Sequence, residues 1–122
     1  MATLRTQEGE KKYQDYIARG GLENGCALCP KAPLRMFKFW KIVQNDFPYD
    51  RIASIHHMVI PIRHAGEAEL STEERDELAN IKDAYMNAHY EYFIEAARKN
   101  KSIPGHFHLH LIVMEDQKNA VI

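Results

Sequence analysis

His106-Phe107-His108-Leu109-His110-Leu111-Ile112 places three histidines at a spacing of two among apolar residues. Side chains of a β-strand alternate between faces. The heptapeptide therefore reads as one strand with an oily face toward a core and a row of imidazoles on the other, wetter face. Imidazole changes charge near neutral pH and serves as nucleophile, acid, base or metal ligand. A single histidine on a wet strand face needs no explanation beyond solvation. Three in strict alternation beside a clean apolar face point to chemistry.

The flanking sequence supplies the rest of a small fold. Ser71-Thr72-Glu73-Glu74 is a capping box. It opens a stripe of Leu78, Ile81, Tyr85, Ala88, Tyr92 and Ala96 at helical spacing, so one amphipathic helix is expected to run to about Lys99. Further upstream, His56 to Ile62 reads as a strand, and Asn45-Asp46-Phe47-Pro48-Tyr49-Asp50 is turn chemistry. Met36 to Asn45 is strand-like, and Gly25 to Pro33 reads as a knuckle around Cys26-Ala27-Leu28-Cys29. A first helix spans about Gln7 to Arg19 and stops at Gly20-Gly21. The order predicts an α+β domain: a mainly antiparallel sheet, a long amphipathic helix on one face, the imidazole row near the other, and a short N-terminal helix.

The chain has 122 residues, which suits one domain over 1–122, with the N-terminal helix and knuckle in about 1–35 and the core in about 36–114. It is 45% hydrophobic and 27% charged, without an apolar run of about 18 residues, so no membrane span is expected. Met1 to Lys12 is polar, so no secretion signal is expected and a cytoplasmic location is. A net charge of −1 argues against a nucleic-acid polymer as partner but leaves room for a small phosphorylated ligand. In a reducing compartment the two cysteines would carry no structural disulfide. The apolar stripe together with several aromatic residues is a large apolar surface for so small a chain, and predicts a homodimer.

The run from His106 to Ile112 resembles the His-φ-His-φ-His-φ-φ signature of the histidine triad (HIT) superfamily at every position, φ being apolar. Asn45-Asp46-Phe47-Pro48-Tyr49 followed by His56-His57-Met58-Val59-Ile60-Pro61-Ile62-Arg63-His64 is similar to the family's upstream segment, most of all in its dinucleoside polyphosphate branch. The resemblance covers roughly 36–114. It implies a HIT-like fold and transfer or hydrolysis at phosphoanhydride or phosphoramidate bonds of nucleoside phosphates, adenosine phosphates first, through a nucleotidyl-histidine intermediate. It implies His108 as nucleophile, with His110 and His106 assisting as donors. The physics of that step asks for a neutral imidazole whose far nitrogen is held as N–H by a backbone carbonyl. The resemblance also implies nucleotide contacts at Asn45, at His64 and, standing in for a serine turn, at Ser102. A turn Asn and a surface His after a strand are the plainer readings of Asn45 and His64, and Arg63 either meets phosphate or is solvated.

Bacterial members of the family pair an N-terminal Cys-x-x-Cys with two histidines. The resemblance thus implies structural zinc on Cys26, Cys29, His56 and His106, with His57 as an alternative third ligand; no organic cofactor is implied. A reduced thiol pair and a redox pair are the competing readings of the cysteines. Two departures stand out. No strand is visible between the long helix and the triad, where Arg98 to Gly105 runs directly into His106. The loop Asp50 to Ile55 is longer than usual. Besides an enzyme, the sequence admits a nucleotide-binding module without turnover, and a hydrolase whose three triad histidines hold a metal.

Overall fold

The computed structural model describes residues 3–23 and 25–115. Residue 24 and the ends of the expected domain, 1–2 and 116–122, lie outside the described residues. Helix α1 (Gln7–Ala18) precedes strands β1 (Arg35–Met36), β2 (Trp40–Gln44) and β3 (Ala53–Pro61). Helix α2 (Thr72–Ile81) continues through a π turn (Lys82–Met86) into a last helical turn, α3 (Asn87–His89). Strands β4 (Tyr92–Ile94) and β5 (Leu109–Met114) complete one sheet in the order β1-β2-β3-β5-β4, every neighbouring pair antiparallel. The expected α+β architecture is thus present. No described helix is long and apolar enough to cross a membrane.

The period-2 pattern sorts the sheet into two faces. Trp40, Ile42, Val59 and Leu111 face the long helix and meet Ile81 and Met86 there. Val43, Met58 and Ile60 face the other way and meet Leu28 of the knuckle. The indole of Trp40 is fully buried and donates Nε1–H to the carbonyl of Glu74 at 2.8 Å, which ties α2 to the sheet. The capping box is formed: Ser71 Oγ accepts from Glu74 N at 3.1 Å, and Glu74 Oε1 accepts from Ser71 N at 2.8 Å.

Three expectations about elements need correction. The single strand over Met36 to Asn45 is a hairpin, β1 and β2, turned at Phe37-Lys38-Phe39. That turn has no Gly, Pro or Asn; the carboxylate of Glu77 on α2 accepts from the amides of Lys38 and Phe39 at 3.1 and 2.7 Å. The helix ends at His89, not Lys99, and the chain turns extended at Tyr90. The next element is β4, a strand that the sequence did not reveal, so Tyr92 and Ala96 leave the helical stripe. Tyr90, Tyr92, Phe93 and Ile94 are aromatic and β-branched, which suits a pleated surface better than a helix. Finally, the strand proper begins at Leu109, so His106, at a bend, and Phe107 and His108 precede it rather than belong to it.

The loop expected over Asp50 to Ile55 is shorter, since β3 begins at Ala53, and the chain at Asp50 and Arg51 anchors α1. Both carboxylate oxygens of Asp50 accept from the N-cap residue, from Thr6 N at 2.7 Å and Thr6 Oγ1 at 2.9 Å. A carboxylate there also suits the positive end of the helix dipole. Burial would raise the Asp50 pKa, but the Thr6 hydrogen bonds outweigh it and hold the carboxyl below its usual range. Arg51 donates to the carbonyl of Thr3 at 2.8 Å. Gly9 allows this approach, since a Cβ there would stand 2.7 Å from an Asp50 oxygen.

Candidate active site and metal centre

The imidazole face is not wet. His106, His108 and His110 are all buried, covered by the knuckle and by the segment that carries α1. The alternation expected from the sequence is correct, while the expected solvent on the second face is replaced by a second layer of protein. A cleft of about 780 Å³, its open mouth included, remains above His108 and His110. Tyr13 and Tyr16 of α1 form one wall, packed on Phe47 with ring centroids 5.1 and 4.8 Å apart.

His108 has the orientation that its expected role requires. Its Nδ1–H is donated to the carbonyl oxygen of its neighbour His106 at 2.9 Å, which leaves the lone pair of Nε2 for the cleft. Burial is the main reason that its pKa is lowered, so the ring is neutral near pH 7. Lys101 lowers it further, while the His106 carbonyl and Glu95 act in the opposite sense. Lys101 lines the same cleft and is paired with Glu95 at 2.8 Å.

Behind His110 stands a partner that the sequence reading assigned elsewhere. His56 is opposite Ile112 in the β3–β5 register, so it is a diagonal neighbour of His110 on the same face. Nε2 of His56 lies 2.8 Å from Nδ1 of His110. One backbone donor sets the tautomers. Tyr49 N can only donate, and it donates to His56 Nδ1 at 2.9 Å. Burial, with smaller pushes from Arg5, His57 and His108, lowers the His56 pKa to about 3, so His56 is neutral and carries its proton on Nε2. That proton goes to His110 Nδ1. His110 is likewise lowered to about 3, by burial first and then by His56, so its own proton is on Nε2. This nitrogen is 3.2 Å from the hydroxyl of Tyr49, which also stacks on both rings.

A group able to hold a metal ion is present, and its fourth member is His64 where His56 was expected. Cys26, Cys29, His64 and His106 form the one group among the described residues able to hold a metal ion, with donor atoms all within 4.8 Å of one another. His106 Nδ1 lies 3.3 Å from Cys26 Sγ, 3.4 Å from Cys29 Sγ and 3.2 Å from His64 Nδ1. Tetrahedral zinc with such ligands has donor–donor edges of roughly 3.3–3.8 Å. The carbonyl of Pro61, 2.9 Å from His106 Nε2, keeps the proton on that nitrogen, so Nδ1 offers a lone pair to the centre. The four donors fit a divalent cation of zinc type. His56 is excluded because it lies within β3, engaged with Tyr49 and His110. His57 is excluded because alternation turns it to the helix face, where Nδ1 meets the hydroxyl of Tyr90 at 2.7 Å. His64 comes just after the end of β3, where antiparallel pairing brings the chain back beside the start of the triad.

The remaining expectations divide. The cleft includes Asn45 and Ser102. Asn45 also behaves as a turn residue, its Oδ1 accepting from Phe47 N at 2.7 Å. His64, expected beside the nucleotide, is at the metal centre instead. Arg63 binds Glu74 at 2.8 Å on the helix side, and it is not among the residues lining the cleft. The triad rings do not converge on one ion, because His106 turns to the cysteines and His110 to His56, which removes the triad-metal reading. Residues missed by the sequence reading are Tyr49, Lys101 and Lys41. Lys41 is buried in β2 and donates to the knuckle carbonyls of Cys29 and Lys31 at 3.1 and 2.8 Å.

No family model matches this sequence, and no curated protein does. Solved structures do. A HIT family hydrolase from Clostridium thermocellum superposes with a TM-score of 0.53 at 16% identity, over 91% of this chain and 96% of that one. A histidine triad protein from Clostridium difficile gives a TM-score of 0.49 at 14% identity, over 90% and 95%. With its five-stranded antiparallel sheet, long helix and short N-terminal helix, the chain has the fold of the histidine triad family.

Proposed function

We propose that this protein is a nucleotidyl hydrolase or transferase that works through a covalent bond between His108 and the α-phosphorus of a nucleoside phosphate. The observation that carries the reading is the 2.9 Å hydrogen bond from His108 Nδ1 to the His106 carbonyl, which aims a bare Nε2 into the cleft. In the first step Nε2 forms an N–P bond while the bond from phosphorus to the leaving group breaks, the leaving group keeping the electron pair. In the second step water, or another acceptor, forms a new bond to phosphorus and the N–P pair returns to Nε2. Tyr13, Tyr16 and Phe47 suit a flat base, and Arg5 and Lys101 suit the phosphate charge. The strand that was not visible in the sequence before the triad is present as β4.

Cys26, Cys29, His64 and His106 would hold structural zinc. With all four positions filled by protein, the ion would secure the knuckle to the sheet rather than activate water. Turnover tests the catalytic reading. Wild-type protein should release nucleoside monophosphate from a dinucleoside polyphosphate or an adenosine phosphoramidate. His108→Ala should lower kcat by roughly 10³-fold or more, as loss of a nucleophile does. Near-normal turnover by His108→Ala would overturn it.

A further inference from the structure

We infer that the phenol of Tyr49 donates the proton to the leaving group. The inference deepens the nucleotidyl-histidine reading and rests on it. Its ground is the direction of the hydrogen bonds. The chain Tyr49 N–H to His56 Nδ1, His56 Nε2–H to His110 Nδ1 and His110 Nε2–H to Tyr49 Oη is fixed in one sense at its backbone end. Because Tyr49 Oη accepts the last of these bonds, its own O–H is left to point elsewhere, and Tyr49 lines the cleft together with His108. His110 has its Nε2 proton committed to Tyr49, so the terminal donor of the row is the phenol.

The step balances. Nε2 of His108 bonds to phosphorus, the leaving atom takes the electron pair of the broken bond, and the Tyr49 proton neutralises it. Burial raises the Tyr49 pKa and so keeps the phenol protonated at rest, while the guanidinium of Arg5, 5.0 Å from the ring centroid, and the His110 Nε2–H face the phenolate formed in the step. The His108 adduct is cationic, so net charge in the cleft is unchanged. Water then attacks phosphorus, giving a proton to the phenolate and restoring Tyr49 as the N–P bond breaks. Such a donor serves leaving groups that depart as strong bases, an amine or an alkoxide. A phosphate leaves as a weak base and needs no proton.

The test is Tyr49→Phe, which keeps the ring, assayed on two substrates: an adenosine alkylphosphoramidate and the p-nitrophenyl ester of AMP. The expected result is a fall in kcat/KM of roughly 100-fold or more on the alkylphosphoramidate, in the range for general acid catalysis, with less than about threefold change on the p-nitrophenyl ester. Activity on the ester also reports that the variant is folded. An equal loss on both substrates makes Tyr49 a packing residue and overturns the inference, as does no loss on either. Absence of a His108 adduct and of turnover in the wild type on both substrates overturns the nucleotidyl-histidine reading and this inference with it.

Discussion

The carbonyl oxygen of His106 accepts the Nδ1 proton of His108 at 2.9 Å, while the His106 ring itself stands among Cys26, Cys29 and His64. One residue thus faces two sites. Its backbone orients the proposed nucleophile, and its side chain completes the candidate metal centre. The two sites are connected through a single peptide unit rather than through a loop.

The ligand set can be tested by comparing two histidines. His64→Ala should lose bound zinc and lower the melting temperature, because a metal that binds only the folded chain stabilises it by mass action. His56→Ala should keep a full equivalent of zinc. Elemental analysis of protein purified without a chelating column decides this. Zinc lost from His56→Ala and retained by His64→Ala would contradict the geometry.

The buried pair His56 and His110 should make the fold sensitive to acid. Each has a folded pKa of about 3, depressed first by burial, against an ordinary value of 6.5. The unfolded chain therefore binds more protons between those values. Their contribution is present in full above about pH 6.5 and is lost as pH falls toward 3, at up to about 1.4 kcal/mol per pH unit for each group. Urea midpoints measured from pH 7 to pH 4 should fall steadily, and less steeply in a His110→Phe variant. A flat profile would show that these rings are not held neutral.

Asp50→Ala should loosen α1 while sparing the sheet. The substitution removes both hydrogen bonds to the N-cap residue Thr6, worth about 1–3 kcal/mol together. No residue of α1 is fully buried, and the packing of Tyr13 and Tyr16 on Phe47 is its other tie to the body of the fold. Hydrogen exchange should quicken in Gln7–Ala18 with β3 and β5 unchanged. Equal exchange in variant and wild type would contradict the docking role assigned to Asp50.

Local signals carried much of this architecture. The capping box at Ser71 and the glycine stop after α1 act over a few residues, and each is where the sequence places it, while the 3.6 period is helical only as far as His89. The illegible features depended on distant partners. The hairpin turn at Phe37-Lys38-Phe39 has no turn residues and relies on Glu77. The choice between His56 and His64 as ligand depends on the β3–β5 register, which strand pattern alone does not fix. The end of the long helix was open to reading, because Tyr90, Tyr92, Phe93 and Ile94 carry a strand signal that the helical stripe obscured. The second cover over the imidazole face arises from the knuckle packing through Leu28, a tertiary contact without a sequence period.

The central claim is a nucleotide bonded to His108, and mass spectrometry sees it directly. Wild-type protein is mixed briefly with an adenosine phosphoramidate, quenched at alkaline pH and weighed intact, then digested to locate the added mass. One nucleotidyl group per chain is expected on the peptide containing His108, and none in His108→Gly. Turnover without any adduct, or an adduct placed on another residue, would contradict the claim.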